Sequence, residues 1–104
     1  MSYQGVMRLA REHPFRPKGG PSVYNVDWLK VVRGCYEEAK SHRGKRFAGS
    51  WVYKRQEVGW FPNLRMLDEE YGILRKVAQT SKQTFYVMPD IKGVARALRE
   101  LGYL

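Results

Sequence analysis

Apolar residues recur along this chain at two spacings, and the switches between them set out the predicted elements. Trp28, Val31, Val32, Cys35, Tyr36 and Ala39 follow one another at steps of three and four, the mark of one buried stripe on an α-helix. Asn25 stands before the stripe as a side-chain N-cap, Asp27 lies in the first turn near the positive end of the helix dipole, and the helix is predicted to run to about Ser41. Lys45 to Ala48 has room for a short strand, and Ser50 is placed to cap a second helix of about two turns that Gly59 ends. Trp60-Phe61-Pro62-Asn63 forms a turn whose proline suits the first position of a third helix, with Leu64, Leu67 and Tyr71 inward and Gly72 as its stop.

The period then shortens. Ile73 to Ala78 and Thr84 to Met88 are predicted strands joined by the polar loop Gln79 to Gln83, which makes a β-hairpin. Asp90 caps a last helix with the apolar stripe Ile91, Val94, Ala95, Leu98 and Leu101, closed by Gly102. Residues 1–24 hold a short helical piece around Val6 to Arg11, then a tract with Pro14, Pro17, Gly19, Gly20 and Pro21 that forbids regular structure. This segment is expected to be a basic N-terminal arm or linker, with residues 25–104 as the folded domain.

A chain of 104 residues fits one domain. What departs from ordinary composition is the charge, +9 from 19 Lys and Arg against 10 Asp and Glu, which favours polyanionic partners. Lys40, Arg43, Lys45, Arg46, Lys54 and Arg55 fall within sixteen positions that contain no acid, so two thirds of the net charge is focused there. Phe47, Trp51 and Tyr53 are interleaved with these cations, as in segments that follow a nucleic-acid backbone, though each ring also suits the core of a small domain. No apolar run is long enough to span a bilayer, and Arg8, Arg11 and Glu12 interrupt any signal-peptide block, so an intracellular protein without membrane insertion is expected. One cysteine, Cys35, and two histidines, His13 and His42, give no internal disulfide and no soft-metal cluster; neither a metal nor a cofactor is expected. Cys35, on the apolar stripe, reads as a small core residue and His42 as structural.

Pro62-Asn63-Leu64-Arg65-Met66-Leu67, followed by Tyr71-Gly72-Ile73-Leu74-Arg75-Lys76-Val77, looks like a recognition helix whose closing glycine turns the chain into a first wing strand. Tyr86-Val87-Met88-Pro89-Asp90 looks like the returning strand entering a C-terminal helix. With the order helix, short strand, helix, turn, helix, hairpin, helix, residues 25–104 resemble the winged helix-turn-helix family, in particular small archaeal-type members. The resemblance implies an α+β fold with a three-helix core, a two- or three-stranded wing hairpin and a C-terminal helix. It further implies double-stranded DNA as partner, with the third helix in the major groove and the second crossing the backbone. Carried over by position, Asn63 and Arg65 are nearest base edges, since Asn pairs with adenine and Arg with guanine through two hydrogen bonds. Ser50 and the amides opening the second helix would meet a phosphate among Arg43, Lys45, Arg46, Lys54 and Arg55, while Lys76, Ser81 and Lys82 serve the wing. Family members often dimerise, so a homodimer stands beside a monomer as an expectation.

The acids Asp68, Glu69 and Glu70 run against this reading. They make the third helix net negative near its C-terminal end, where the dipole and DNA phosphates both disfavour them. A solvated face explains them, as does a placement facing away from DNA toward basic residues elsewhere, or hydrogen bonding to cytosine N4 by one of them. They splay around a helix and face no second group, so an enzyme is not expected. The sequence thus points to a double-stranded DNA-binding protein, as a transcriptional regulator, with an RNA- or ribosome-associated protein and a protein-binding winged helix as alternatives.

Overall fold

The computed structural model describes residues 2–14, 27–56 and 64–104, side chains excepted at 53–56. In chain order the elements are α1 (Ser2–Glu12), α2 (Trp28–Ser41), β1 (Phe47–Ala48), α3 (Gly49–Gln56), α4 (Arg65–Glu69), β2 (Arg75–Gln79), β3 (Thr84–Val87) and α5 (Ile91–Glu100). This is a compact α+β arrangement of several helices and a three-stranded antiparallel sheet of order β1-β3-β2. Among the described residues no helix is long and apolar enough to cross a membrane.

The stripes read from sequence form the core. Val31, Val32, Cys35 and Ala39 of α2 and Val94, Ala97 and Leu98 of α5 are at most 2% exposed, and they meet Phe47, Leu67 and Ile73 in one apolar cluster. Asp90 caps α5 as expected, its carboxylate accepting the Gly93 N–H at 3.0 Å. At α2 the N-cap is Asp27 rather than a first-turn residue: its Oδ1 accepts the Lys30 N–H at 3.3 Å. Asn25 lies outside the described residues. Asp27 is also the acceptor for the Tyr103 hydroxyl at 3.0 Å, so one carboxylate fastens the start of α2 to the chain after α5.

The described part of the segment expected as a basic arm is the helix α1, packed against α5 and α2. Its buried face is Ser2, Gly5, Val6 and Leu9, an i, i+3, i+4, i+7 stripe in which two of four positions are small. Gly5 is set so close to the turn after α4 that a Cβ there would sit 2.3 Å from the Tyr71 carbonyl oxygen. Ser2 Oγ donates to the Gly72 carbonyl at 3.3 Å on the same flank. Small residues allow this approach and also mute the apolar pattern, which is why the sequence shows only the helical piece around Val6 to Arg11 and not the first turn from Ser2. The Pro/Gly tract expected as a linker lies, from residue 15, outside the described residues.

Strand limits also shift. β1 is Phe47–Ala48, shorter than expected, because Lys45 and Arg46 stay exposed outside the ladder. The helix after it begins at Gly49, so Ser50 stands in the first turn of α3 rather than at its cap. β2 begins at Arg75 and not at Ile73, since Ile73 and Leu74 are drawn into the core with their amides bonded to the Leu67 carbonyl. A register shift between Lys76 and Ala78 leaves Val77 as an exposed bulge on this edge strand, which discourages pairing with another chain.

Candidate nucleic-acid interface

The positively charged loop grows out of the end of α2. The Gly44 N–H bonds the Ala39 carbonyl at 2.8 Å, a helix-closing turn that needs a left-handed residue before Gly44. That residue is Arg43, with φ +54°, the one non-glycine at positive φ among the described residues. Left-handed backbone costs an L-residue ~1–2 kcal/mol, so glycine is the usual occupant. Behind the turn His42 Nε2 lies 3.1 Å from the carboxylate of the buried Glu38, and its ring packs on Trp51 of α3 with centroids 5.0 Å apart. Lys40, Arg43, Lys45 and Arg46 are all exposed.

This loop is placed beside the hairpin by two contacts. The Arg46 guanidinium lies 4.6 Å from the centroid of Phe85 on β3, and Phe85 meets the Trp51 ring edge-on at 6.3 Å. Gln83 Nε2 donates to Ser50 Oγ at 3.5 Å, joining the first turn of α3 to the base of the hairpin loop. The loop itself is fixed by Thr80, whose Oγ1 accepts the N–H groups of Gln83 and Lys82 at 3.0 and 3.3 Å, leaving Ser81 and Lys82 exposed. Arg46, Ser50 and the base of the Ser81–Lys82 tip are thereby brought into one neighbourhood, with Arg43 and Lys45 exposed earlier in the same loop. Lys54 and Arg55 are on α3, but their side chains lie outside the described residues, as does Asn63.

Arg65 and Lys76 approach the hairpin from its other face. Cross-strand partners share a face and alternate along the strand. Phe47, Tyr86 and Lys76 therefore form one row and Ala48, Phe85 and Ala78 the opposite one. The first row looks toward the core and α4, where Arg65, Asp68, Lys76, Thr84 and Tyr86 border a shallow polar hollow. Burial, with the charges of Asp68 and Glu69 adding, holds the Tyr86 hydroxyl above the ordinary phenol range.

Two of the three acids that argued against a groove-reading helix, Asp68 and Glu69, have local work, while at Glu70 it is the backbone carbonyl that is engaged. Asp68 Oδ2 accepts the backbone N–H of Lys76 at 3.0 Å and so satisfies an edge donor of β2. Glu69 Oε2 accepts from Arg65 Nε at 2.8 Å, and the Glu70 carbonyl accepts from the Arg8 guanidinium of α1. Arg8 also covers the Tyr71 ring at 4.5 Å, while Tyr71 donates to Glu12. Burial, helped by that hydrogen bond, pushes the Tyr71 hydroxyl up to about 12.

Sequence reasoning did not anticipate the cluster of His42, Trp51, Phe85 and Arg46, nor the role of Gln83. The Glu38–His42 spacing of four residues was the available signal for part of it. Cys35 is fully buried, and burial above all, with the nearby Glu38 charge, raises its thiol far above the reactive range. Comparison with protein-family models, with curated proteins and with solved structures returned no match.

Proposed function

We propose that the protein binds double-stranded DNA as a winged helix-turn-helix module, in the manner of a transcriptional regulator. Support for the fold reading comes from the order of elements: α2, β1, α3 and α4 precede a hairpin whose strands give the order β1-β3-β2. Support for the ligand comes from one observation above all, Arg46 of the exposed basic loop lying against Phe85 of the hairpin, next to the Gln83–Ser50 link to the start of α3. In this reading the 43–46 loop, the first turn of α3 and the Ser81–Lys82 tip follow the phosphate backbone. Helix α4 enters the major groove with Arg65 toward a guanine, and Lys76 adds a contact beside it.

The cations chiefly supply affinity, because each neutralised phosphate releases condensed counterions. Six such contacts would give a slope of log K against log salt of about −5. The test is a fluorescence-anisotropy titration of a labelled random duplex, competed by structured RNA and by single-stranded DNA, over a range of salt. Preference for duplex DNA with a slope of that size is expected. Preference for structured RNA would move the protein to RNA recognition, and no binding to any nucleic acid at low salt would sink the proposal.

A further inference from the structure

The bulge on β2 gathers side chains that a regular strand would separate. Residues three apart on a regular strand face opposite ways, but the register shift between Lys76 and Ala78 pairs Lys76 with Tyr86 and Gln79 with Thr84, so these four share one face. Lys76 Nζ donates to Gln79 Oε1 across the bulge. Together with Arg65, Asp68 and Glu69 of α4 they border a hollow of about 410 Å³, within the ~300–1,000 Å³ range of small-molecule sites.

Two observations point to a ligand there. Tyr86 is only 7% exposed, and its hydroxyl has no hydrogen-bond partner among the described residues. Among those residues no side-chain oxygen shut off from solvent lacks a partner, so this hydroxyl is open, and the opening is the hollow that Tyr86 borders. The second observation is charge. Arg65 is engaged with Glu69, whereas Lys76 and Asp68 form no ion pair among the described residues. Lys76 bonds the Gln79 amide oxygen, and Asp68 accepts the Lys76 backbone N–H. One positive and one negative charge therefore stand at the same hollow, each held by a neutral group.

We propose that the hollow between α4 and the hairpin binds a free α-amino acid as a zwitterion. Lys76 Nζ, Gln79 Nε2 and the Tyr86 hydroxyl are the donors for its carboxylate, and Asp68 is the acceptor for its ammonium group. The Tyr86 hydroxyl, held above the ordinary phenol range, stays protonated and donates. Other ligand classes fit less well. A simple anion meets Asp68 and Glu69, and a simple cation meets Lys76 and Arg65. A sugar finds no open ring to stack on, because Tyr86, the one aromatic bordering the hollow among the described residues, is buried. The inference stands apart from the DNA-binding reading, although ligand and duplex would compete for Lys76.

The test is a chemical-shift titration of the isotope-labelled protein, without DNA, with the proteinogenic amino acids, their N-acetyl and carboxamide forms, and glucose. At least one free amino acid is expected to give saturable shifts at Asp68, Lys76, Gln79, Thr84 and Tyr86. Blocking either of its ends should weaken it roughly tenfold or more, since each end loses a charged hydrogen bond. Tyr86→Phe removes a hydroxyl bonded to no described residue, so it should keep the urea midpoint while losing roughly tenfold in affinity. Lys76→Met should lose at least as much. A blocked form or glucose binding as well as the free amino acid would overturn the inference, as would unchanged affinity in Tyr86→Phe. No saturable shift with any free amino acid at millimolar concentration would remove the site and leave the DNA-binding reading in place.

Discussion

Helices α2 and α5 end in the same hydrogen-bonded turn and fill it differently. In α5 the Tyr103 N–H bonds the Leu98 carbonyl at 2.8 Å, and the left-handed position is Gly102, φ +83°. In α2 the Gly44 N–H bonds the Ala39 carbonyl at 2.8 Å, and that position is Arg43. The surrounding cations differ in the same way. Near α1 and α5 three arginines are matched: Arg8 with Glu12 and the Tyr71 ring, Arg33 with Glu37 and Tyr103, Arg96 with Glu100 and the Tyr3 ring, while among the described residues no carboxylate pairs with Arg11 or Arg99. Around the end of α2, among the described residues, no carboxylate pairs with Arg43, Lys45 or Arg46. One end of the molecule pairs three of its arginines internally. The other carries a left-handed arginine and a concentration of exposed cations, which is what the proposed phosphate contact would draw on.

That contrast breaks if a change at the helical end fails to cost stability, or one at the loop fails to cost affinity. The largest stability effect is expected for Gly5→Ala, whose Cβ would meet the Tyr71 carbonyl at 2.3 Å. Backbone must move to admit it, at ~1–3 kcal/mol, read as a lower urea midpoint with an unchanged slope. An unchanged midpoint would mean that α1 is not packed as described. The double variant Lys45→Ala/Arg46→Ala should hold its urea midpoint, lose roughly tenfold in duplex affinity and flatten the salt slope by about two. Full retention of the wild-type slope would detach this loop from the phosphate backbone.

Arg43→Gly sharpens the comparison because its two effects have opposite signs. Relief of the left-handed arginine should stabilise the fold by about 0.5–1 kcal/mol, while losing one phosphate contact weakens duplex binding roughly threefold. Stability and affinity rising together would make Arg43 an unremarkable helix end. The smallest effect near neutrality comes from Tyr71. Its folded pKa, about 12, lies above the ordinary 10.0 because of burial and its bond to Glu12. The unfolded chain therefore releases its proton first as pH rises. The stability tied to this group is fully present below about pH 10 and is lost through pH 12. Urea titrations at pH 8, 10 and 11.5 should show this loss, and replacing Tyr71 by Phe should reduce it.

What the sequence discloses follows the range of the forces involved. Helices α2 and α5 are legible because Val31, Val32, Cys35 and Ala39, and Val94, Ala95 and Leu98, place large or medium apolar groups on one face. Asp90 is legible as a cap because its partner, Gly93, is three residues away. Helix α1 is legible only around Val6 to Arg11; its first turn and its packing are obscured because the contact face includes Ser2 and Gly5, whose value lies in what they allow Tyr71 and Gly72 to approach. The beginning of β2 is obscured because Ile73 and Leu74 are as apolar as strand residues while serving the core.

The same division holds at the candidate interface. The charge concentration in residues 40–55 is visible directly in the sequence. The parts that organise it are not, because they bridge distant positions: Gln83 to Ser50, Arg46 to Phe85, Asp68 to the Lys76 amide. Asp68 and Glu69 look unfavourable for DNA as members of an acidic run. As a strand-edge acceptor and an arginine partner they have separate structural roles, which a one-dimensional charge count merges.

Amide chemical-shift mapping of the isotope-labelled protein during titration with duplex DNA tests the central claim most directly. Perturbations are expected to concentrate at residues 43–50 and 80–84, with a second group on α4, and to leave α5 between residues 94 and 100 nearly still. Shifts centred on α1 and α5, with the 43–50 segment unmoved, would contradict the account.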